Sequence, residues 1–423
     1  MKYYPITVVY IVAIAVSVIC LLCFGPIEYN DTSSYLEAWE NWKQGELDTF
    51  RTPLYPAFLG LCHSLFGNIW TWVAIVLQYA LFFLSVSVFH KMALMLLKHK
   101  TALITTAFYA IYPTFNTWSN LLLTESIGLS LCVFFIYVCL RIIIEGSTKF
   151  AFLMTFLLVL LLALRPSSVS LLIPAGLTSI VLIFHKEKRI AGIASLAGVV
   201  LCSLLLIGYS SKVKEKTGIF SPSIVSATND FTIARMYGYL SPDAVEDSHK
   251  SEVLKDNYAK YGQELADGPI FYDAFGDLVN EFSVADMKHA VDNSIKQNPV
   301  SWLMALIKRT YFAFLQPATR SYTSDLFRVH LLFPINIGII FMLLLIYSAL
   351  IVILLVKGRF PATGCFISLL SLCVIGTSIV GAQSEYSRLI LPAIPCVLII
   401  IAQLCQMVTL IPDIKNRWTE FLS

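Results

Sequence analysis

The chain has 423 residues, 57% of them hydrophobic and 13% charged, with a formal net charge of +3. That balance, with a mean hydropathy of +0.74, excludes an ordinary soluble domain and points to an all-α, multi-pass membrane protein. The lysines and arginines lie in short runs rather than one basic patch, which argues against nucleic acid as a partner.

The first segment, MKYYPITVVYIVAIAVSVICLLCFG, has a basic start and an apolar core longer than a signal-peptide core, with no A-x-A-like site behind it. It reads as a retained first span. A bilayer-crossing helix needs about 20 apolar residues, and about ten segments approach that length. They are 5–25, 69–96, 101–117, 121–144, 149–164, 168–185, 190–210, 333–356, 361–381 and 388–411. The ten cysteines sit mostly inside these runs and read as small buried hydrophobes, the Cys20-x-x-Cys23 pair included.

Between the first two spans lies YNDTSSYLEAWENWKQGELDTFRTPLYP, residues 29–56. The Ser34 to Glu37 spacing predicts a capping box and a helix starting near Thr32 to Ser34. Its Tyr35, Leu36, Trp39 and Trp42 are expected to face lipid, with Glu37, Glu40, Asn41 and Gln44 facing water or protein, as in a helix lying along the membrane. Asp31 stands before it and has two readings: a helix N-cap, or a general base whose pKa partial burial raises. Glu28 is a less well placed substitute. The Asn30-Asp31-Thr32 glycosylation pattern overlaps this residue and reads as coincidence.

Arg51 precedes Pro53 and Pro56, which fix the backbone around Tyr55. It can snorkel to headgroups or grip a phosphate with its planar fork. Glu125 opens an otherwise apolar helix, where the macrodipole alone favours an acid; yet ionisable residues at the rim of a span are more often functional. The same holds for Arg165 in LALRPSSVSLLIP and Arg388 in GAQSEYSRLILPAIP.

With the N-terminus in the cytoplasm, every short basic loop falls on the cytoplasmic side: 98–100, 141–149, 185–189, 357–359 and the Lys415/Arg417 tail. The candidate residues then share the extracytoplasmic face. The longest polar segment, 211–332, is expected there as an irregular lid, ending in an interfacial helix within NPVSWLMALIKRTYFAFLQP. This divides the chain into 1–210 with a catalytic first outer loop at 26–68, the extracytoplasmic loop 211–332, and a C-terminal membrane module 333–423. There is no P-loop, no dinucleotide fingerprint and no H-E-x-x-H, so nucleotide hydrolysis and zinc proteolysis are not expected.

In YNDTSSYLEAW, GELDTFRTPLYPAFLGL, LLLTESIGLSL, LRPSSVSLLIP and SEYSRLILPAIP, in that order, the chain resembles the GT-C membrane glycosyltransferases that use polyprenyl-phosphate sugars. That group includes protein O-mannosyltransferases and aminoarabinose transferases. The resemblance implies a GT-C-like bundle of about ten spans that moves one sugar to a hydroxyl on a lipid, glycan or protein, by an inverting displacement. Asp31 would be the base, with Arg51, Tyr55, Glu125, Arg165, Glu385 and Arg388 contacting donor phosphate or substrate. Thr32 stands where many relatives carry a second acid, so no obligatory metal is expected. Two other readings are an O-antigen polymerase or ligase and, as a non-enzyme, a flippase; a flippase would more commonly show internal repeats and midplane sites, which are not seen.

Overall fold

The computed structural model describes residues 4–265, 269–316, 336–356, 361–381 and 386–407. Glu385 and the basic residues at 357–359, 415 and 417 lie outside the described residues. All named elements among those described are helical, and the extended pairing among them is one parallel bridge between Ile27 and Leu121. The protein is an all-α polytopic membrane protein.

Helix α1 (Tyr4–Phe24) runs into α2 (Asn30–Lys43) and α3 (Leu54–Phe66), followed by α4 (Trp70–Leu96). Next come α5 (His99–Ile111), α6 (Pro113–Ser119), α7 (Thr124–Glu145), α8 (Thr148–Leu164), α9 (Leu172–Ile183) and α10 (Arg189–Thr217). Seven helical stretches among the described residues are long and apolar enough to cross a bilayer, with Thr148–Leu164 and Leu391–Met407 shorter. The expected span at 101–117 is absent as one helix. It stops at Ile111, because Tyr112 precedes a proline and takes an extended backbone (φ −65°, ψ 119°), and the chain restarts as the short α6. Helix α10 instead outlasts its expectation, reaching Thr217 before Gly218 ends it at φ 77°. Its 29 residues span about 43 Å, more than the roughly 30 Å hydrocarbon layer, so it projects from the bundle.

Helix α7 is the centre of the bundle: 78% of its spanning window is buried, against α4 and α8. Lipid is as apolar as leucine, so helices in a bilayer gain from close packing and polar contacts rather than from leaving water. The contacts are visible around α6. Tyr79 donates to Asn120 Oδ1 (2.6 Å), Asn120 donates to the Cys20 carbonyl (3.0 Å), and Gln78 Nε2 donates to the carbonyls of Ser119 and Leu121 (3.0 Å each). This network ties α1, α4 and the entry to α7 together.

The segment after α10 is not an irregular lid. It folds as α11 (Val225–Met236), α12 (Ser248–Tyr261), α13 (Pro269–Val279), α14 (Val284–Gln297) and α15 (Pro299–Leu315). These helices close over their own apolar core, built on Phe231, Ile233, Leu254, Leu278, Phe282 and Met287. Asp247 and Ser283 start two of them, accepting from the first backbone N–H groups of α12 and α14. In α15, Trp302 packs on this core and Phe314 on the bundle. Val300, Leu303, Met304, Ile307 and Tyr311 are exposed along one face. The C-terminal part comprises α16 (Ile337–Val356), α17 (Ala362–Gly381), α18 (Tyr386–Leu389) and α19 (Leu391–Met407).

Candidate active site

Three hydrogen-bonded joints, one between backbones and two from threonine hydroxyls, hold the Asp31, Arg51, Glu125 and Arg165 segments together at one end of the bundle. Ile27 donates to the Asn120 carbonyl (2.9 Å) and accepts from the Leu122 N–H (3.0 Å), while Thr32 Oγ1 donates to the Leu122 carbonyl (3.1 Å); the start of α2 therefore lies on the start of α7. Thr52 Oγ1 donates to the Leu164 carbonyl (2.9 Å), which sets the Arg51 loop beside Arg165. Arg165 itself is extended (φ −149°, ψ 135°), as a residue before proline prefers, and this turns its side chain off the end of α8.

The side chains form a ladder of alternating charge. Arg51 Nη2 donates to Asp31 Oδ1 (2.8 Å), and Arg388 Nη2 donates to Asp31 Oδ2 (2.9 Å). Arg388 Nε also donates to Glu125 Oε1. Arg165 Nη2 lies 3.1 Å from the same oxygen. Three guanidiniums and two carboxylates leave these five residues with a net charge of +1. The Glu125 side chain is fully buried, while that of Asp31 is 28% exposed. A small cleft lined by Arg165, Gly128, Ser168, Thr377, Ser378 and Leu389 opens beside the ladder.

Asp31 is neither an N-cap nor a carboxylate with a raised pKa. It sits inside the first turn of α2, whose cap is Tyr29; the Tyr29 N–H donates to Thr32 Oγ1 (2.9 Å). The Ser34 to Glu37 box does not form, since Ser34 Oγ donates to the Asp31 carbonyl (2.8 Å) and accepts from Arg51 Nε (2.8 Å). Burial pushes the Asp31 carboxyl upward, but the charges and hydrogen bonds of Arg388 and Arg51 outweigh it and hold the carboxyl below its usual range. Glu28 is exposed and takes no place in the ladder.

Arg51 does not snorkel. Its guanidinium lies over the Tyr35 ring at 4.4 Å and the Phe50 ring at 4.8 Å. Tyr35, expected to face lipid, is 4% exposed and stands edge-on to Tyr55, with ring centroids 4.8 Å apart. Tyr55 is placed behind it, fully buried, its hydroxyl donating to Gln78 Oε1 (2.9 Å). Trp39, also expected at lipid, packs over Gly60, where an added Cβ would overlap the indole.

Sequence reasoning thus missed Ser34, Tyr35 and Gln78. The first two carry a signal, because Asp31, Ser34 and Tyr35 are spaced i, i+3, i+4 and share one helix face. Gln78 is a polar residue within an apolar span, which is seldom idle. Among the described residues no three His, Cys, Asp or Glu side chains cluster as metal ligands do.

Residues 51–209 match the family model described as dolichyl-phosphate-mannose-protein mannosyltransferase. No curated protein matches the chain. The matched stretch holds Arg51, Tyr55, Glu125 and Arg165 and leaves Asp31 and Arg388 to be joined to it by the fold. This match over 51–209, together with an all-helical polytopic bundle and an ionic ladder at one end of it, supports membership of the GT-C superfamily of membrane glycosyltransferases.

Proposed function

We propose that the protein transfers a single sugar from a polyprenyl-phosphate donor to a hydroxyl acceptor, with inversion, on the extracytoplasmic face of the plasma membrane. The observation that carries this reading is the Arg51–Asp31–Arg388–Glu125–Arg165 ladder. Its surplus of one positive charge complements the single negative charge of a sugar phosphodiester, and paired guanidinium forks suit phosphate oxygens. The short basic turns around Lys98 to Lys100 and Lys186 to Arg189 lie at the other end of the helices, which supports cytoplasmic termini.

In this mechanism the donor phosphate competes with Asp31 for Arg51 and Arg388. Once those guanidiniums turn to the phosphate, the restraint that lowers the Asp31 pKa is lifted, and the carboxylate becomes basic enough to take the acceptor's proton. The acceptor oxygen then attacks the anomeric carbon as the bond from that carbon to the phosphate oxygen breaks. The electron pair leaves with the lipid phosphate, whose growing charge the arginines hold in a water-poor site. Glu125 orients Arg165 and Arg388. The reading includes no obligatory metal, in keeping with both carboxylates being engaged by arginines.

The test is Asp31→Asn in purified protein supplied with polyprenyl-monophosphate sugars. The variant melts as a folded protein in detergent and forms no product. Full transfer by that variant removes Asp31 from the mechanism.

A further inference from the structure

The loop that carries Arg51 is held from outside the site by an unusual run of contacts. Four successive carbonyls accept hydrogen bonds from one segment, the end of α10 and the approach to α11. Lys216 Nζ donates to Leu47 (3.2 Å), the Tyr209 hydroxyl to Asp48 (3.4 Å), the Ile224 N–H to Thr49 (3.0 Å) and Ser223 Oγ to Phe50 (2.6 Å). From within the loop, Asp48 Oδ1 accepts from the N–H groups of Phe50 (2.9 Å) and Arg51 (2.6 Å), and Oδ2 accepts from Asn41 Nδ2 on α2 (3.3 Å). Ser223 is fully buried.

We infer that the 209–224 segment is a strap that positions Arg51, with Ser223 as its positioning residue on the strap and Asp48 as the matching one inside the strapped loop. A loop of this kind has many accessible conformations when free. Fixing the four carbonyls before Arg51 together with the N–H groups of Phe50 and Arg51 itself restricts the backbone that leads into it, so the guanidinium meets Asp31 and an incoming phosphate already aligned. The projecting length of α10 and the outer helical unit thereby acquire a role at the site without supplying a group to it: displacement of that unit pulls on the Arg51 backbone. This inference rests on the reading of Arg51 as a phosphate contact.

The experiment measures binding of polyprenyl monophosphate, without sugar, to the full-length protein in detergent, together with amide exchange across residues 45–55. Asp48→Ala is expected to weaken binding about tenfold, and Ser223→Ala about threefold, by loss of alignment alone. Asp48→Asn, which keeps an acceptor oxygen, stays within about twofold of the parent. Amide exchange of Phe50 and Arg51 rises in both alanine variants while the melting temperature of the bundle holds. If Asp48→Ala fails to fold, Ser223→Ala and its exchange pattern decide the matter. Unchanged binding in the two alanine variants, beside loss in Arg51→Ala, overturns the strap and leaves the proposed function standing. An equal loss in Asp48→Ala and Asp48→Asn also overturns it, since the charge and not the acceptor would then matter. Unchanged binding in Arg51→Ala overturns both.

Discussion

The ladder at the mouth of the bundle and the ion pairs on the outer helices use the same side chains in opposite ways. In the ladder the participating side chains are 0 to 28% exposed. On the outer unit, pairs such as Lys255–Glu252 (3.0 Å) leave their members 49% and 67% exposed. Water screens the second kind, which holds little energy and can be lost without effect. The first kind is costly to assemble and far more costly to break, because a removed partner leaves a charge buried without compensation. The outer unit depends for its stability on an apolar core withdrawn from water. The bundle, whose surroundings are already apolar, depends on fit and polar contacts. Exposed pairs of the Lys255–Glu252 kind are therefore dispensable, whereas the ladder, like the buried Arg235 held by Asn257 and the Gly262 carbonyl, is part of the construction.

The sharpest way to break this comparison is Glu125→Ala. It strands Arg165 in a largely buried setting and leaves Arg388 to Asp31 alone, which is expected to cost about 3–5 kcal/mol, read as a loss of thermal stability in detergent. Gly60→Ala tests fit rather than charge. The new Cβ overlaps the Trp39 indole, which costs about 1–3 kcal/mol and shifts α2 away from Arg51, so transfer falls as well. Adding Trp39→Ala to that variant restores stability.

A smaller effect comes from pH. The Asp31 carboxyl is lowered in the folded protein, so its contribution is complete above the ordinary carboxylate range and is lost as pH falls through the lowered value. Melting temperatures of the parent and of Asp31→Asn should differ at neutral pH and converge below about pH 4; a constant difference down to strong acid would show that the ladder does not act through ionisation. The smallest effect belongs to Glu252→Ala, for which no measurable change in melting temperature is expected. A clear loss there would erase the distinction between the two regions.

Much of this was readable before the fold. Apolar runs of span length identified most of the membrane helices. The cost of placing ionisable groups at their ends singled out Asp31, Arg51, Glu125, Arg165 and Arg388, all of which meet in the structure. Glu385 belongs to the same reasoning but lies outside the described residues. What failed was judged from one helix in isolation. Alone, α2 would turn Tyr35 and Trp39 to lipid, whereas α3 folds back to cover them with Tyr55 and Gly60. The helices between 225 and 315 were more legible than an irregular loop: α13 and α14 carry apolar stripes at helical spacing, and only the core those stripes share needed the fold.

The sequence by itself determined which segments enter the bilayer and which side chains are too polar to rest there, because both follow from local transfer free energies. Only the tertiary structure decided the pairing. Asp31 and Arg388 are 357 residues apart, and Arg388 and Glu125 are 263 apart. Nothing in a local pattern encodes which helix ends meet. That choice also settled the direction of the Asp31 pKa, since the same burial that raises a lone carboxyl is reversed once two guanidiniums are packed against it.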